Sequence, residues 1–294
     1  MRTEKTLHSS PPDYLLNKWA ADVFSQTGED GITEQILSVI GERNGWAVEF
    51  GGWDGLRFSN CANLFRHKNY SGVFVEVNQA KYKELLCNYA NYPKVKAFNQ
   101  LVGFEAKDNL DALLADVSIP PNLDFLSIDI DGNDYYVWKA IRTLRPKLVC
   151  IEFNPTIPSE VDFAQEANPK VQQGSSLAAM IRLGKEKGYE LVCATEWNGF
   201  FVDGKYFDRF KIPDNSIQNL RRDLSAVTYI FSGFDGRMIL AGNKKMLWHD
   251  LPMEEERMQQ LPRSLIGFPD DYSPLQKLIF RGLRRWRLNH LKTR

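Results

Sequence analysis

The sequence predicts an α/β protein with a mostly parallel sheet, helices on both faces and an added C-terminal extension. Short apolar runs alternate with helical patterns between residues 46 and 202, which is typical of a parallel sheet whose strands are joined by crossover helices. The first run ends in a glycine-rich turn, as at the ligand-binding edge of a doubly wound sheet. Too few residues for a crossover helix separate the last two runs, so we expect these strands to pair antiparallel.

The core elements are predicted from two hydrophobic periods. Short apolar runs bounded by turn residues predict strands, and apolar residues spaced three and four apart predict helices. Ser175 or Ser176 caps the last of these helices, and Gly188 ends it. Strands are predicted over 46–50, 72–77, 95–98, 124–130, 147–153, 189–194 and 199–202, and helices over 32–40, 59–67, 81–90, 110–115, 135–144 and 175–187.

The chain divides into four predicted segments. The first begins with a flexible arm, followed by a helix over 14–23 capped by Asp13 and a polar loop over 24–31 that is a candidate lid. The third contains an antiparallel hairpin that pairs 227–231 with 238–241. The segments are an N-terminal region (1–45), a core domain (46–210), a hairpin-containing extension (211–271) and a basic amphipathic tail (272–294).

Composition and charge narrow the class of protein. The chain has 294 residues, 43% apolar and 25% charged, and its formal net charge is zero. The whole molecule therefore has no electrostatic reason to bind nucleic acid. We expect a cytoplasmic protein without disulfides, because the cysteines form no CxxC pair and the N-terminus does not resemble a signal peptide. The cysteines are Cys61, Cys87, Cys150 and Cys193.

The turn after the first strand is the stretch around which the core is organised. It reads WAVEFGGWDG over Trp46–Gly55. Gly51, Gly52 and Gly55 allow the backbone to take a positive φ and to approach a ligand closely. Glu49 ends a buried strand, where a carboxylate is costly unless it accepts hydrogen bonds. We expect a nucleotide-like or amino-acid-bearing ligand to supply those donors.

Acids also close two later strands, at Glu76 and at Asp129 with Asp131. Glu76 lies about 20 residues after the glycine turn, where an acid can accept both ribose hydroxyls of an adenosine. That spacing serves NAD and S-adenosylmethionine alike. Asp54 would repel a pyrophosphate, whereas the ammonium of S-adenosylmethionine can bind carboxylates such as Glu49 and Asp54. The turn therefore favours S-adenosylmethionine.

These motifs occur in an order that resembles the FkbM-type family of S-adenosylmethionine-dependent methyltransferases. The matching segments are FSQTGEDG, VEFGGWDG, FSNCANLF, GVFVEVNQ, LSIDIDGNDYYVW and LVCIEFNP, and they cover about 24–202. Two positions depart from the family: Asp54, where it more often has asparagine, and Val77, where it more often has proline. The resemblance implies a Rossmann-like methyltransferase sheet. It also implies methyl transfer to oxygen, commonly a sugar hydroxyl in a polysaccharide, glycolipid or related metabolite.

The resemblance also implies roles for residues at the strand ends. The first turn would hold the methionine end of the cofactor and Glu76 the ribose, while Asp129 and Asp131 would face the sulfonium and the acceptor. The cofactor-binding residues implied in this way are Glu49, Gly51, Gly52, Asp54, Gly55, Ser59, Asn60, Glu76, Asn78 and Asp129.

Two mechanisms are open at the fourth strand end. In one, a carboxylate takes the proton from the acceptor hydroxyl as it attacks the methyl group. In the other, Asp129, Asp131, Glu152 and Asn154 bind a divalent cation such as Mg²⁺, which lowers the pKa of the hydroxyl. These four are the candidate catalytic residues. Strand alternation predicts that Asp129 and Asp131 share one face, and Asp134 is expected to cap the next helix.

Three other functions compete with methyl transfer. A metal-dependent glycosyltransferase would use Asp129-Ile130-Asp131 for a nucleotide-sugar, but this leaves the glycine turn and Glu76 unexplained. A non-catalytic scaffold that retained the fold is disfavoured by the cost of unpaired acids at strand ends. A dehydrogenase is disfavoured by the turn and by the antiparallel final strand.

The tail over 272–294 contains no acid and several arginines and lysines. A helix there would place leucine, isoleucine and tryptophan on one face and most of the basic residues on another. Such a helix suits an anionic membrane surface at the inner face of the membrane, or it docks on its own domain. Both readings remain open from the sequence, and membrane contact would make a lipid-linked glycan the natural acceptor.

Overall fold

The computed structural model describes residues 14–291, so the predicted flexible arm and its neighbour Asp13 lie outside the described residues. The chain divides into two compact units that meet between Leu224 and Ser225. Residues 211–224, which the sequence analysis placed in the extension, pack within the first unit. Ile217 and Leu220 belong to its hydrophobic core.

The first unit is built on a seven-stranded sheet. Its strands are β1 (Trp46–Phe50), β2 (Ser71–Val75), β3 (Val95–Phe98), β4 (Phe125–Ile128), β5 (Leu148–Glu152), β6 (Tyr189–Ala194) and β7 (Asn198–Asp203). Their spatial order is β3-β2-β1-β4-β5-β7-β6. The first five strands pair in parallel, whereas β7 runs antiparallel to both β5 and β6. The predicted Rossmann-like sheet with an antiparallel final strand is confirmed.

Helices surround this sheet. They are α1 (Glu29–Ile40), α2 (Ala62–His67), α3 (Gln79–Asn88), α4 (Leu110–Leu113), α5 (Asp134–Ala140), α6 (Leu177–Glu186) and α7 (Ile217–Leu220). Ser176 caps α6 by accepting a hydrogen bond from the Ala179 N–H, as predicted. The helix predicted over 14–23 is reduced to one 3₁₀ turn at Leu16–Trp19.

Aromatic side chains of α5 and β7 pack together beside α6. Trp138 of α5 is 1% exposed, and its ring centroid lies 5.0 Å from that of Phe201 in β7. Strands β4 and β5 are almost entirely buried, because helices cover both of their faces. This burial explains why they read as continuous apolar runs rather than as alternating ones.

The second unit contains small elements and one long helix. The predicted hairpin forms from β8 (Thr228–Ser232) and β9 (Met238–Gly242), and it is a sheet of its own rather than an extension of the main sheet. A second short ladder, β10 (Lys245–Met246) with β11 (Leu251–Pro252), precedes α8 (Pro274–Leu291). Among residues 14–291, no helix combines the length and apolar character needed to cross a bilayer.

Candidate active site

The candidate site lies where the chain changes direction across the sheet. From β1 the chain builds β2 and β3 on one side, then returns to β4 on the other side, so a crevice is expected at the carboxyl ends of β1 and β4. Gly51, at φ 68°, occupies this point. A Cβ on Gly51 would lie 1.7 Å from the backbone oxygen of Asp129. The glycine turn and the acids after β4 therefore meet directly.

Glu49 is satisfied by the protein itself. Its carboxylate accepts hydrogen bonds from the Ser59 hydroxyl at 2.7 Å, the Asn60 N–H at 2.9 Å and the Cys61 N–H at 3.0 Å. Glu49 on β1 thus holds the segment that leads into α2. Burial raises the pKa of Glu49 to about 7, although these donors oppose the shift. The sequence analysis expected a ligand to supply the hydrogen-bond donors for Glu49, but the protein itself supplies them.

Asp54 and the two remaining glycines of the turn are also held by contacts within the protein. Asp54 accepts hydrogen bonds from the Leu56 and Arg57 N–H groups, at 2.9 and 2.8 Å. A Cβ on Gly52 would lie 2.6 Å from the Phe74 ring, and one on Gly55 would lie equally close to the Tyr89 ring. These two glycines are therefore required by aromatic packing beneath the turn.

Glu76 joins the glycine turn to the end of β2. This buried carboxylate accepts the Trp53 N–H at 2.8 Å on one oxygen and the Asn78 N–H at 2.6 Å on the other. A carboxylate offers about four lone-pair sites, so each oxygen can accept one further donor. Asn78 caps α3 through the Ala80 and Lys81 N–H groups. Glu76 is therefore positioned by backbone donors yet retains capacity for a ligand.

Trp53 is a residue that the sequence analysis did not single out. It has a positive φ of 48°, its side chain is 44% exposed, and the Lys81 ammonium lies 4.9 Å from its ring centroid. A large aromatic residue inside a glycine turn was the available signal. Part of Trp53 thus remains exposed beside Glu76, to which its backbone N–H donates.

Three carboxylates converge at the ends of β4 and β5. One oxygen from each of Asp129, Asp131 and Glu152 lies within 4.8 Å of the others. The sequence analysis predicted that strand alternation brings Asp129 and Asp131 together. This reason is wrong, because β4 already ends at Ile128 and Asp131 has a φ of 56°. The turn itself places them side by side.

Asn154 lies outside this carboxylate group. Its amide nitrogen donates to the Gln173 carbonyl at 2.8 Å. Its amide oxygen accepts hydrogen bonds from the N–H and the hydroxyl of Thr156, at 2.9 and 2.7 Å. The expected four-residue cation site is therefore reduced to three carboxylates, since Asn154 stabilises its own loop.

The convergence perturbs the acidity of these groups. The pKa of Asp129 is well above its usual range because of burial and then repulsion by Asp134 and Asp131. Burial and the same neighbouring acids, Asp129 foremost, raise the pKa of Glu152 in the same direction. An oxygen of Asp129 and an oxygen of Glu152 lie within 4.8 Å of each other. The two groups form a carboxyl pair whose pKa values are both raised, mainly by burial.

Asp134 supports the turn that carries these acids. Its two oxygens accept the Ile130 N–H at 2.8 Å and the Gly132 N–H at 2.9 Å. Burial raises its pKa to about 6, although these donors oppose the shift. Asp134 is the first residue of α5, and no side-chain hydrogen bond caps this helix. The predicted cap is therefore wrong, because Asp134 accepts donors from the turn before the helix instead.

The polar loop at residues 24–31 reaches the same edge. Glu29 is fully buried and accepts hydrogen bonds from the Thr195 hydroxyl at 2.9 Å and the Asn198 amide at 3.1 Å. Asn198 lies directly opposite Glu152 in the β5–β7 ladder. Its amide oxygen is buried and has no partner among residues 14–291. The sequence analysis missed Glu29 and Asn198, because their pairing joins distant parts of the chain.

The edge as a whole fits a cation better than an anion. Asn78 takes backbone N–H groups in the first turn of α3, and Glu49 and Asp134 take N–H groups just before α2 and α5. A phosphate needs such groups to be free. The remaining groups at this edge are carboxylates, which attract positive charge. The geometry therefore disfavours a pyrophosphate and favours a ligand with cationic and hydroxyl groups.

Comparison with known proteins gives distant fold matches. No protein-family model and no curated protein sequence matches the chain. The N-terminal domain of EvdMO1 with SAH bound aligns with 60% of this chain and 80% of that chain, at 10% identity and a TM-score of 0.41. A SAM dependent methyltransferase from Aquifex aeolicus aligns with 57% of this chain and 87% of that chain, at 10% identity and a TM-score of 0.35.

A third solved structure, a putative O-methyltransferase from Klebsiella pneumoniae, aligns with 65% of this chain and 90% of that chain, at 16% identity and a TM-score of 0.39. All three are described by their names as methyltransferases or as binding SAH. At these TM-scores the matches carry no argument about the activity of this chain, which must be inferred from its own residues.

Proposed function

We propose that the protein is an S-adenosylmethionine-dependent O-methyltransferase of the FkbM type, acting on a sugar hydroxyl in a polysaccharide, glycolipid or related metabolite. One observation carries the proposal. Asp129, whose backbone lies against the Gly51 turn, forms with Glu152 a carboxyl pair with raised pKa values, near the crevice expected between the ends of β1 and β4. A proton acceptor thus lies beside the place where a doubly wound sheet binds its ligand.

The residues at this edge fit the cofactor. Glu76 has one unused acceptor site on each oxygen, which matches the two hydroxyls of a ribose. The carboxylates of Asp129, Asp131 and Glu152 provide the negative potential that a sulfonium requires. S-adenosylmethionine, when bound, supplies an electrophilic methyl group. NAD fits less well, because backbone N–H groups in the first turn of α3 and just before α2 and α5 already donate to protein acceptors.

The carboxyl pair is assigned the proton-transfer step. The ionised member of the Asp129–Glu152 pair would accept the proton of the acceptor hydroxyl. The hydroxyl oxygen would receive the methyl group as the sulfonium S–CH3 bond breaks, with S-adenosylhomocysteine as the leaving group. Burial and repulsion keep the pKa of both groups high, which makes their ionised forms stronger bases than a solvated carboxylate. Asp131, beside them, maintains this repulsion. Most of the rate enhancement is expected from positioning of the hydroxyl.

A divalent ion is the alternative for the same three carboxylates. Asp129, Asp131 and Glu152 would supply oxygen ligands of the kind that Mg²⁺ and Ca²⁺ prefer, and they would neutralise each other's repulsion through the ion. In that case Mg²⁺ should bind to the protein in the absence of any other ligand, and it should increase the rate of methyl transfer. The proton-acceptor mechanism requires neither.

The test is a calorimetric titration of the full chain with S-adenosylhomocysteine, with NADH and a nucleotide-sugar in parallel, each with and without Mg²⁺. We expect micromolar binding of S-adenosylhomocysteine alone. Glu76→Gln should weaken it at least tenfold, whereas Glu84→Gln, a matched change of an exposed acid on α3, should leave it unchanged. The proposal is contradicted if the nucleotide-sugar binds only with Mg²⁺, or if none of the three ligands gives measurable binding.

A further inference from the structure

The helix α8 presents three different faces. Its first face packs on its own unit through Gln276, Phe280, Leu283 and Arg287, which are partly buried. The Gln276 amide donates to the Ser264 carbonyl at 2.9 Å, and other residues of this face contact Tyr272 and Gln260. The helix is therefore docked, and this face accounts for the docking.

A second face is apolar and exposed. Leu275, Leu278 and Ile279 lie three and four residues apart, and Trp286 follows two helical turns after Ile279, so the four share one side of the helix and form a stripe. The exposed fractions are 66% for Leu275, 67% for Leu278, 46% for Ile279 and 59% for Trp286. Within residues 14–291 nothing buries this stripe. In contrast, the residues of the docked face are partly buried. Exposed leucine, isoleucine and tryptophan in a continuous row mark an interaction surface.

The third face is basic and borders the stripe. Lys277, Arg281, Arg284 and Arg285 are all exposed. The chain from 272 to 294 contains no acid that could neutralise them. Long basic side chains at the border of an apolar stripe can reach phosphate groups while the stripe enters an apolar layer. The two faces together match the two layers of a lipid surface.

We propose that α8 is a peripheral membrane helix, which inserts its Leu275–Trp286 stripe into the acyl boundary of an anionic bilayer while its basic face binds lipid phosphates. Charge complementarity favours this occupant. A second copy of the chain would bring two basic faces together at the stripe, at an electrostatic cost. A nucleic acid would satisfy the arginines but leave the apolar stripe in water.

The test measures co-sedimentation of the full-length protein with vesicles of phosphatidylcholine and phosphatidylglycerol at 70:30. We expect binding that is lost on pure phosphatidylcholine and weakened by 0.5 M salt. The double change Leu278→Ser with Trp286→Ser should weaken binding at least tenfold. Leu288→Ser removes a leucine that is also exposed on α8 but lies off the stripe, so it should retain binding. Arg281→Gln should weaken binding about fivefold.

Circular dichroism melting provides the folding control for each variant. The inference is overturned if wild type fails to bind the anionic vesicles, or if Leu288→Ser weakens binding as much as the double change. It is also overturned if the basic face binds a labelled oligonucleotide with no dependence on the stripe, or if the stripe instead mediates a dimer in sedimentation velocity. No cofactor is present in these measurements, so failure of the proposed function leaves the result interpretable.

Discussion

Acidic residues at the carboxyl edge of the sheet serve two purposes. Glu49 accepts three internal donors and Asp134 accepts two, and both hold turns in place. Glu76 also accepts two internal donors, but it lies directly after β2, as Asp129 and Glu152 lie at the ends of β4 and β5. Residue type and donor number do not separate the two purposes. Position at a strand end does.

Glu49→Gln tests the structural role of the first group. The glutamine N–H groups would face the Asn60 and Cys61 donors, so we expect the free energy of unfolding at pH 5 to fall by about 3 kcal/mol. The pKa of Glu49 is raised from 4.5 to about 7 in the folded state. Its contribution to stability is therefore full below pH 4.5 and is lost as the pH rises through 7. Urea unfolding should show a smaller penalty at pH 8 than at pH 5.

Glu84→Gln is the matched control, because Glu84 is exposed on α3 and forms only a surface pair with Lys81. It should change the free energy of unfolding by no more than about 0.5 kcal/mol at either pH. A Glu49→Gln penalty that does not shrink between pH 5 and pH 8 would mean that Glu49 is already ionised at pH 5 and that its pKa is not raised.

At the scale of elements, close approach of two backbones determines the site. The β1 turn and the end of β4 touch at Gly51, where a Cβ would lie 1.7 Å from the Asp129 backbone oxygen and where φ is 68°. Any side chain there must move one strand end away from the other. The proposed methyl-transfer geometry depends on this contact, since it brings the glycine turn to the acids.

Gly51→Ala should therefore destabilise the fold by more than about 3 kcal/mol, through steric overlap and an unfavourable φ. Gly282→Ala is the matched control in α8, where a Cβ meets no atom within 4 Å. Alanine has the higher helix propensity, so this change should be neutral or stabilising by up to about 1 kcal/mol. Thermal melting of both variants checks the pair. Equal midpoints would show that the strand ends can separate at little cost.

The sequence predicted the strands well because helices bury them on both faces, which leaves short uninterrupted apolar runs. The antiparallel β7 was predictable from the few residues that separate it from β6. Helix starts were less predictable. A helix was expected from Ser59, but α2 begins at Ala62, because the preceding residues donate to Glu49 on β1. Such capping across elements leaves no local pattern.

The site was predictable in part for the same reason. The acids at the strand ends were identified from the sequence, since each follows an apolar run. Their partners were not. Glu29 reaches Thr195 and Asn198 from the other end of the chain, and the positive φ of Asp131 sets the carboxylate group by turn geometry rather than by strand alternation.

At the scale of the whole molecule, a zero net charge conceals two opposite regions. The strand ends of the first unit carry a concentration of carboxylates, whereas the last residues of the second unit are basic and contain no acid. Every candidate site residue lies before the division at 224 and 225. Cofactor binding and lipid binding are therefore expected to be separable properties of the two units.

A fragment of residues 1–224 should fold, bind S-adenosylhomocysteine as the full chain does and lose vesicle binding.

A fragment of residues 1–210, which ends at the domain boundary predicted from the sequence, should melt at a lower temperature than the fragment of residues 1–224. It lacks Ile217 and Leu220 of the core. It also lacks Arg221, whose guanidinium donates to the Pro155 and Ile157 carbonyls at 2.7 and 2.8 Å and lies 5.2 Å from the Phe153 ring. These contacts hold the loop that follows β5, next to Glu152. Circular dichroism melting and calorimetry on both fragments check the prediction, and equal stability of the two would place the end of the first unit at residue 210.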